Sequence, residues 1–379
     1  LYLYFHLHFY TFCELCWLFK AKMLSFAARR LPKTILNYSK INKEAFVYVC
    51  CRFFSEEPFK KPRLWSDGGS HVLYSNDNVG GWQNDESWLL NRVDVNNIKY
   101  HSLKGFKDTN EDRFQVTELS PDVLFLGVFD GHGGTFVVEF VKKNLHMYVK
   151  RILDQGYCLP TTALRRGFID CDMALARELE KNENKELPVR SGSTATVAVL
   201  KNGEELVVAS IGDSRAILCR AGKAHLLTND HTPLSTDEKN RVLASGGSVE
   251  MDGEMTPRVN GRLAMTRCFG NFDLKSFGVV PIPEIQMLQV DQDKDNFFAL
   301  ITDGVSAVMD TNQTVTILSS SSEPNESVEM LTTSAAQFGS EDDITAVLLP
   351  FRSFGMKSDD DEQDINFLTS FRNVLTKYV

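Results

Sequence analysis

Acidic residues close or precede four apolar runs in this chain. Val123–Phe129 is a short unbroken apolar stretch that ends on Asp130-Gly131-His132-Gly133-Gly134. Glu205–Ile211 leads into Gly212-Asp213-Ser214-Arg215, and Phe297–Ile301 leads through Thr302 into Asp303-Gly304. Ile344–Phe351 is preceded by Glu341-Asp342-Asp343, and Glu111-Asp112 stands just before Phe114. Taken singly, Asp130-Gly131 reads equally well as a hairpin turn, and Asp213 as a loop acid paired with Arg215. Taken together, acids at the ends of several buried strands can converge on one cluster, and neighbouring carboxylates do not stay ionised without cations. An all-oxygen donor set with no Cys or His favours hard ions such as Mg²⁺ or Mn²⁺. Paired metals on carboxylates suit phosphoryl chemistry.

The elements that must position these acids follow from the pattern. Short apolar runs bounded by glycines read as strands buried on both faces. Helices are predicted over Tyr148–Leu153, over Thr162–Asn182 with Ala163, Phe168 and Leu175 facing inward, over Asp237–Ala244 before Gly246-Gly247, and over Val328–Phe338 before Gly339. Hairpin-like spacings around residues 193–228 predict antiparallel pairing.

Six stretches carry a resemblance, in order: Asp130-Gly-His-Gly-Gly134, Ser191-Gly-Ser-Thr-Ala-Thr196, Gly212-Asp-Ser-Arg215, Asp230-His-Thr-Pro233, Val259-Asn-Gly-Arg-Leu-Ala264 and Thr302-Asp-Gly304. Across residues 100–351 the chain resembles the metal-dependent Ser/Thr protein phosphatases of the type 2C family. The resemblance implies an α+β fold, a four-layer α-β-β-α sandwich of two antiparallel sheets with a dinuclear metal site at one end. It implies Asp130, the carbonyl of Gly131, Asp303 and Asp342 as ligands of two Mn²⁺ or Mg²⁺ ions. Glu111 and Asp112 would sit in the outer shell, and Asp213 would serve a third, weaker site. His132 would protonate the leaving Ser or Thr oxygen, and Lys107 would face the substrate phosphate. Hydrolysis would proceed by direct attack of a metal-activated water. His132 as a satisfied loop histidine is the alternative, and His231 reads as structural or exposed.

Three departures from the family pattern stand out. Lys107 replaces an arginine, which keeps the charge and loses the bidentate fork. Asp343 replaces an asparagine beside Asp342, and Asn271 replaces an aspartate in Gly270-Asn-Phe-Asp273. Asn271 is not expected to ligate metal. Lys107 and Asp343 are the support for a second reading, a catalytically weak pseudophosphatase that binds phosphoproteins. The stretch from Asn271 to Glu284 is expected to be a variable flap that carries substrate choice. An aspartyl-phosphate mechanism wants an Asp-x-Asp motif that Asp130-Gly-His lacks, and no P-loop stretch exists.

The chain of 379 residues has net charge −9. Residues before Ser55 hold eight Lys/Arg against two acids, so the remainder stands at −15, which argues against nucleic acid or an anionic membrane as the main partner. Eight scattered cysteines do not form a disulfide framework. Residues 1–22 are aromatic and apolar and read as a non-native or untranslated extension before Met23. Residues 23–54, with six Lys/Arg against Glu44, have the basic, acid-poor composition of a mitochondrial transit peptide. Residues 55–99 read as a linker, 100–352 as the phosphatase domain, and 353–379 as an acidic linker and tail. The presequence, with Asn110–Phe114, Glu205–Arg220 and Asn260–Arg267, looks most like the mitochondrial matrix branch of the family. That branch implies a phosphoprotein partner, the branched-chain 2-oxo acid dehydrogenase complex.

Overall fold

A computed structural model of the chain describes residues 93–156, 159–181 and 189–356. The basic presequence, the three tryptophans Trp65, Trp82 and Trp88, and the acidic stretch Ser358–Asp364 lie outside the described residues.

Two five-stranded antiparallel sheets form the centre. The first contains, from edge to edge, Glu284–Gln289 (β13), Glu205–Ile211 (β7), Ala195–Lys201 (β6), Val123–Phe129 (β3) and Arg113–Ser120 (β2). The second contains Lys99–Leu103 (β1), Ile344–Pro350 (β15), Asp295–Ile301 (β14), Arg215–Arg220 (β8) and Lys223–Leu226 (β9). Helices Phe136–Leu153 (α1) and Pro160–Lys181 (α2) pack on the first sheet. Asp303–Ser306 (α4), Thr311–Leu318 (α5) and Pro324–Gln337 (α6) pack on the second. The result is the expected four-layer sandwich.

The apolar runs are continuous because both faces of each strand are covered. In β3, Phe125 and Phe129 face α1 and α2, while Leu124, Leu126 and Val128 face the other sheet. In β14, Phe297, Ala299 and Ile301 face the α4–α6 layer, and Phe298 and Leu300 enter the inter-sheet core. Each fully buried Leu or Phe contributes on the order of 1.5–3 kcal/mol of transfer free energy. Structure also reaches upstream of β1: Asp94 caps a 3₁₀ turn at Val95–Asn97, and Ile98 is buried between the sheets. Among the described residues no helix is long and apolar enough to cross a membrane.

Three of the predicted helices match to within a few residues, and Gly246 and Gly339 follow α3 (Thr236–Ala244) and α6 with φ of 82° and 92°. The first helix is longer than its predicted last turn and a half. It starts at Phe136, and its buried stripe is Val137, Val141, Leu145, Val149 and Ile152. β-Branched residues early in this helix weaken its intrinsic propensity, and burial against the first sheet overrides it.

Between β9 and β13 the chain leaves the sandwich and builds a small core of its own from Val242, Val259, Leu263, Met265, Cys268, Leu274 and Val279. It includes the hairpin Val249–Met251 (β10) with Pro257–Val259 (β11). The expected flap is therefore largely interior: Leu274, Lys275, Val279 and Val280 are all buried. What anchors it is a charged knot. Glu238 on α3 accepts from Arg241 Nη2 and Arg267 Nη2 at 2.7 Å each. Burial opposes ionisation of Glu238, but the hydrogen bonds from the two arginines hold it well below the usual carboxylate range.

His231 sits beside this knot, 2% exposed, with Nδ1 3.2 Å from the Gly212 carbonyl and Nε2 3.4 Å from Glu284 Oε2. Burial, then the charge of Arg267, push its pKa down to about 4, against the opposite pull of Glu238 and Glu284. The folded imidazole stays neutral where the unfolded chain takes up a proton, below about pH 6.5. Its contribution to stability is therefore complete above that pH and lost as pH falls from 6.5 towards 4, on the order of 3 kcal/mol over the window. Urea unfolding of the metal-free protein at pH 7.0, 5.5 and 4.5 checks this. The wild type is expected to lose more stability across the series than His231→Gln, and parallel pH profiles contradict it.

Candidate metal centre

The sheets deliver the acids to one end of the sandwich. β3 and β7 both pair antiparallel with β6, so they run parallel to each other and their C-terminal acids, Asp130 and Asp213, lie at the same end. In the facing sheet β14 ends at Asp303, the first residue of α4, and its antiparallel neighbour β15 begins just after Asp342-Asp343. β2, antiparallel to β3, begins after Glu111-Asp112. Carboxylate oxygens of Asp130, Asp213 and Asp303 all lie within 4.8 Å of one another. Asp213 does not pair with Arg215, which instead grips Asp230 at 2.7 Å.

These carboxylates are a poor fit to each other and a good fit to a cation. Burial, followed by the charges of Asp303, Asp112, Asp213 and Asp342, pushes Asp130 well above the carboxylate range. Burial and neighbouring acids likewise raise Asp112 and Asp213 to about 7 and Asp303 to about 6. One oxygen each of Asp112, Asp213 and Asp303 is buried with no hydrogen-bond partner. Unpartnered buried carboxylate oxygens are costly unless a positive charge meets them. The donor set is all oxygen, as hard divalent ions require. At Gly131 a side chain would meet the Glu111 carbonyl at 2.7 Å and Val138 at 2.9 Å, so only bare backbone fits there.

The supporting polar groups are satisfied. Asp112 Oδ2 accepts from Thr302 Oγ1 at 2.7 Å, and the Asp130 N–H donates to Thr194 Oγ1 at 3.1 Å. Thr194 Oγ1 meets Ser214 Oγ at 2.9 Å, which ties together two of the sequence stretches flanking the site. Glu111 Oε1 accepts from the Gly134 N–H at 2.6 Å. Lys107 Nζ lies 2.5 Å from Asp342 Oδ1 and 3.8 Å from Glu111 Oε2. Burial lowers the Lys107 pKa, but the hydrogen bond and charge of Asp342, with Asp130 and Asp343 beyond it, hold it above the ordinary lysine value. Asp342 is thus turned towards Lys107, outside the tight cluster of three. A cleft of about 360 Å³ opens beside Asp303, Asp342 and Lys107, with Val308 and Glu341 on its wall.

Two residues near the centre have roles that spacing did not reveal. Asp343, noted only as an extra negative charge, is 1% exposed and accepts from the Gly105 N–H at 2.9 Å and the Glu111 N–H at 2.8 Å. It holds the loop that carries Lys107 and Glu111. Asn271 Oδ1 lies 2.7 Å from His132 Nε2. His132 (β4, Gly131–His132) pairs with Gly192 (β5, Gly192–Ser193), and Gly192 pairs on its other side with Gly270 (β12, Phe269–Gly270). A three-stranded miniature sheet therefore sets Asn271 beside His132. The only sequence signal was that Asn271 and Asp343 both depart from the pattern of the resembled family. Burial lowers the His132 pKa, against the hydrogen bond to Asn271.

Comparison with known proteins agrees with this architecture. Residues 96–344 match the family model described as "Protein phosphatase 2C". "Protein phosphatase 1K, mitochondrial" of Xenopus laevis is 38% identical over 75% of this chain and 75% of its own length. "Probable protein phosphatase 2C member 13, mitochondrial" of Oryza sativa subsp. japonica is 36% identical over 75% of this chain and 73% of its own length. Two other plant relatives are longer, and this chain spans 61% and 54% of them. Among solved structures, the serine-threonine phosphatase 2C of Toxoplasma gondii superposes with a TM-score of 0.59 at 26% identity, covering 67% of this chain and 94% of that one. Sandwich, acid cluster and sequence similarity converge: the chain belongs to the protein phosphatase 2C family and is a metal-dependent protein serine/threonine phosphatase.

Proposed function

We propose that Asp130, the Gly131 carbonyl, Asp303 and Asp342 hold two Mn²⁺ or Mg²⁺ ions, that Glu111 and Asp112 support them from the outer shell, and that Asp213 adds a third, weaker site. The observation that carries this is the trio Asp130, Asp213 and Asp303, whose carboxylate oxygens lie within 4.8 Å of one another. When bound, hard divalent cations supply a nucleophilic water at neutral pH and neutralise charge on the phosphoryl group. The chain's own groups do the rest. Lys107, which lines the cleft, faces the substrate phosphate as a single point charge, a weaker grip than a bidentate arginine. His132 protonates the departing Ser or Thr oxygen, which would otherwise leave as a poor alkoxide. Thr302 holds Asp112 in place, and Asp343 holds the loop of Lys107 and Glu111.

The enzyme acts in the mitochondrial matrix on a phosphorylated branched-chain 2-oxo acid dehydrogenase complex. The basic stretch 23–54 supports the compartment, as do the names of the Xenopus and rice relatives, both of which are called mitochondrial. The substrate rests on the local likeness of Asn110–Phe114, Glu205–Arg220 and Asn260–Arg267 to the matrix branch of the family.

Phosphate release from a phosphoserine peptide tests the roles. Activity is expected with Mn²⁺ or Mg²⁺ and none with chelator. Asp303→Asn is expected to lose activity at least ~100-fold, whereas Lys107→Ala is expected to lose about 10-fold, mainly as a raised KM. Equal losses contradict the assignment, and no turnover from folded, metal-loaded protein would leave a phosphoprotein-binding module. For the substrate, the phosphorylated dehydrogenase complex is expected to be cleaved at least ~10-fold more efficiently than phosphocasein. Equal kcat/KM on the two overturns that part.

A further inference from the structure

We propose that Phe106 is a specificity-determining residue: with Val308 it receives an apolar side chain that flanks the phosphoserine of the substrate protein. The proposal rests on the reading of Lys107 as the group that faces the substrate phosphate. Phe106 directly precedes Lys107 and is 82% exposed, the most exposed of the large apolar residues among the described ones. Its N–H donates to the Glu341 carbonyl at 2.9 Å, and Glu341 belongs to the wall of the cleft beside Asp303 and Asp342. Phe106 therefore stands at the rim of that cleft with its ring in solvent. Ala307 and Val308 line the same cleft, and Phe338, 40% exposed, directly precedes its lining residue Gly339.

A single exposed apolar residue is ordinary on a protein surface and needs no explanation. Phe106 differs in its surroundings and in how firmly its backbone is held. On either side of it, the Gly105 N–H donates to Asp343 Oδ1 at 2.9 Å and the Glu111 N–H to Asp343 Oδ2 at 2.8 Å. A side chain at Gly105 would overlap the backbone of Glu341 and Asp342, so this loop lies directly against the chain that leads into β15. The backbone that carries the ring thus has little freedom left to lose on binding, and the ring itself has only its two side-chain torsions. An aromatic presented in this way gains contact area at low entropic cost.

The chemistry of the occupant follows from what the charged groups around the rim already do. Asp342 pairs with Lys107, and Asp343 accepts from two backbone N–H groups. Asp303 and Asp342 are the proposed metal ligands, and Lys104 Nζ reaches the Asp108 carbonyl at 3.5 Å. Of the acids on the cleft wall, this leaves Glu341 without such a task, beside apolar surface from Phe106, Ala307 and Val308. A leucine or phenylalanine side chain matches that surface, and removing it from water together with the Phe106 ring favours binding. The Cα atoms of Phe106 and Lys107 are about 3.8 Å apart, and an extended peptide advances about 3.3–3.6 Å per residue, so the matching position lies within about three residues of the phosphoserine.

The test uses the full chain with Mn²⁺ and phosphoserine peptides in an alanine background. One leucine, or one arginine in its place, is moved from three residues before the phosphoserine to three after it. One leucine position is expected to raise kcat/KM about 10-fold over the all-alanine peptide, mainly through KM, and arginine there less than ~2-fold. The same ratio is expected in the Kd values, read by calorimetry, of peptides that carry a non-hydrolysable phosphonate. Phe106→Ser is expected to bring the leucine-to-alanine ratio to within ~2-fold of unity, Phe106→Tyr to keep it, and Val308→Ser to lower it about 3-fold. A merely structural role lowers both peptides equally and leaves the ratio where it was. No favoured leucine position, a ratio that survives Phe106→Ser, or arginine preferred over leucine overturns the proposal. Lys107→Ala is expected to weaken every phosphonate peptide by a similar factor. If it weakens none, the phosphate reading of Lys107 fails, and the leucine-to-alanine ratios still decide the role of Phe106.

Discussion

The structure is organised around buried aspartates that repel one another. Asp130 and Asp112 are 6% and 4% exposed, yet each has other acids beside it and, among the described residues, no ion-pair partner. Nothing in the sandwich needs this arrangement for stability. Its two sheets supply ample apolar burial, and four acids in one place subtract from it. The arrangement fits a site that divalent cations could complete. The surrounding polar groups fit that constraint: Thr302 and Thr194 brace Asp112 and Asp130, Asp343 pins the loop of Lys107 and Glu111, and Lys107 offers its positive charge to Asp342.

The acid cluster and the His132–Asn271 pair are held by different parts of the fold. The acids come from the long strands of the two main sheets, which the three apolar layers fix rigidly. His132 lies in a sheet of two-residue strands and Asn271 directly follows it, and Phe269 ties this sheet to the core against α2. The buried Asp172–Lys275 pair and the absence of a side chain at Gly192 add to this.

Much of this was legible in the sequence, for physical reasons. A strand covered on both faces leaves an unbroken apolar run, so β3, β7, β14 and β15 announced themselves, and the acids at their ends pointed to hard-metal chemistry. The start of α1 was hidden because β-branched Val137, Val138 and Val141 weaken a helical signal that only tertiary burial restores. Pairings such as β1 with β15 join residues more than 200 positions apart, and no local pattern encodes them. The same holds for Asn271 on His132 and for Asp343 on Gly105 and Glu111: each is a polar residue whose partner lies far away in the chain. Within the expected flap, Leu274, Lys275 and Val279 fold inward, and their burial depends on distant partners that no local pattern encodes.

The most direct test of the central constraint is thermal unfolding of wild type and Asp130→Asn, each with Mn²⁺ and with chelator. Mn²⁺ at about 100 times its Kd should stabilise the wild type by about 2.7 kcal/mol, a rise of several degrees in Tm. Asp130→Asn relieves the mutual repulsion, so without metal it should melt above the wild type, and it should gain little from Mn²⁺. A wild type whose Tm is unmoved by Mn²⁺, or a metal-free Asp130→Asn that melts below it, would contradict the claim that these aspartates are gathered to hold cations.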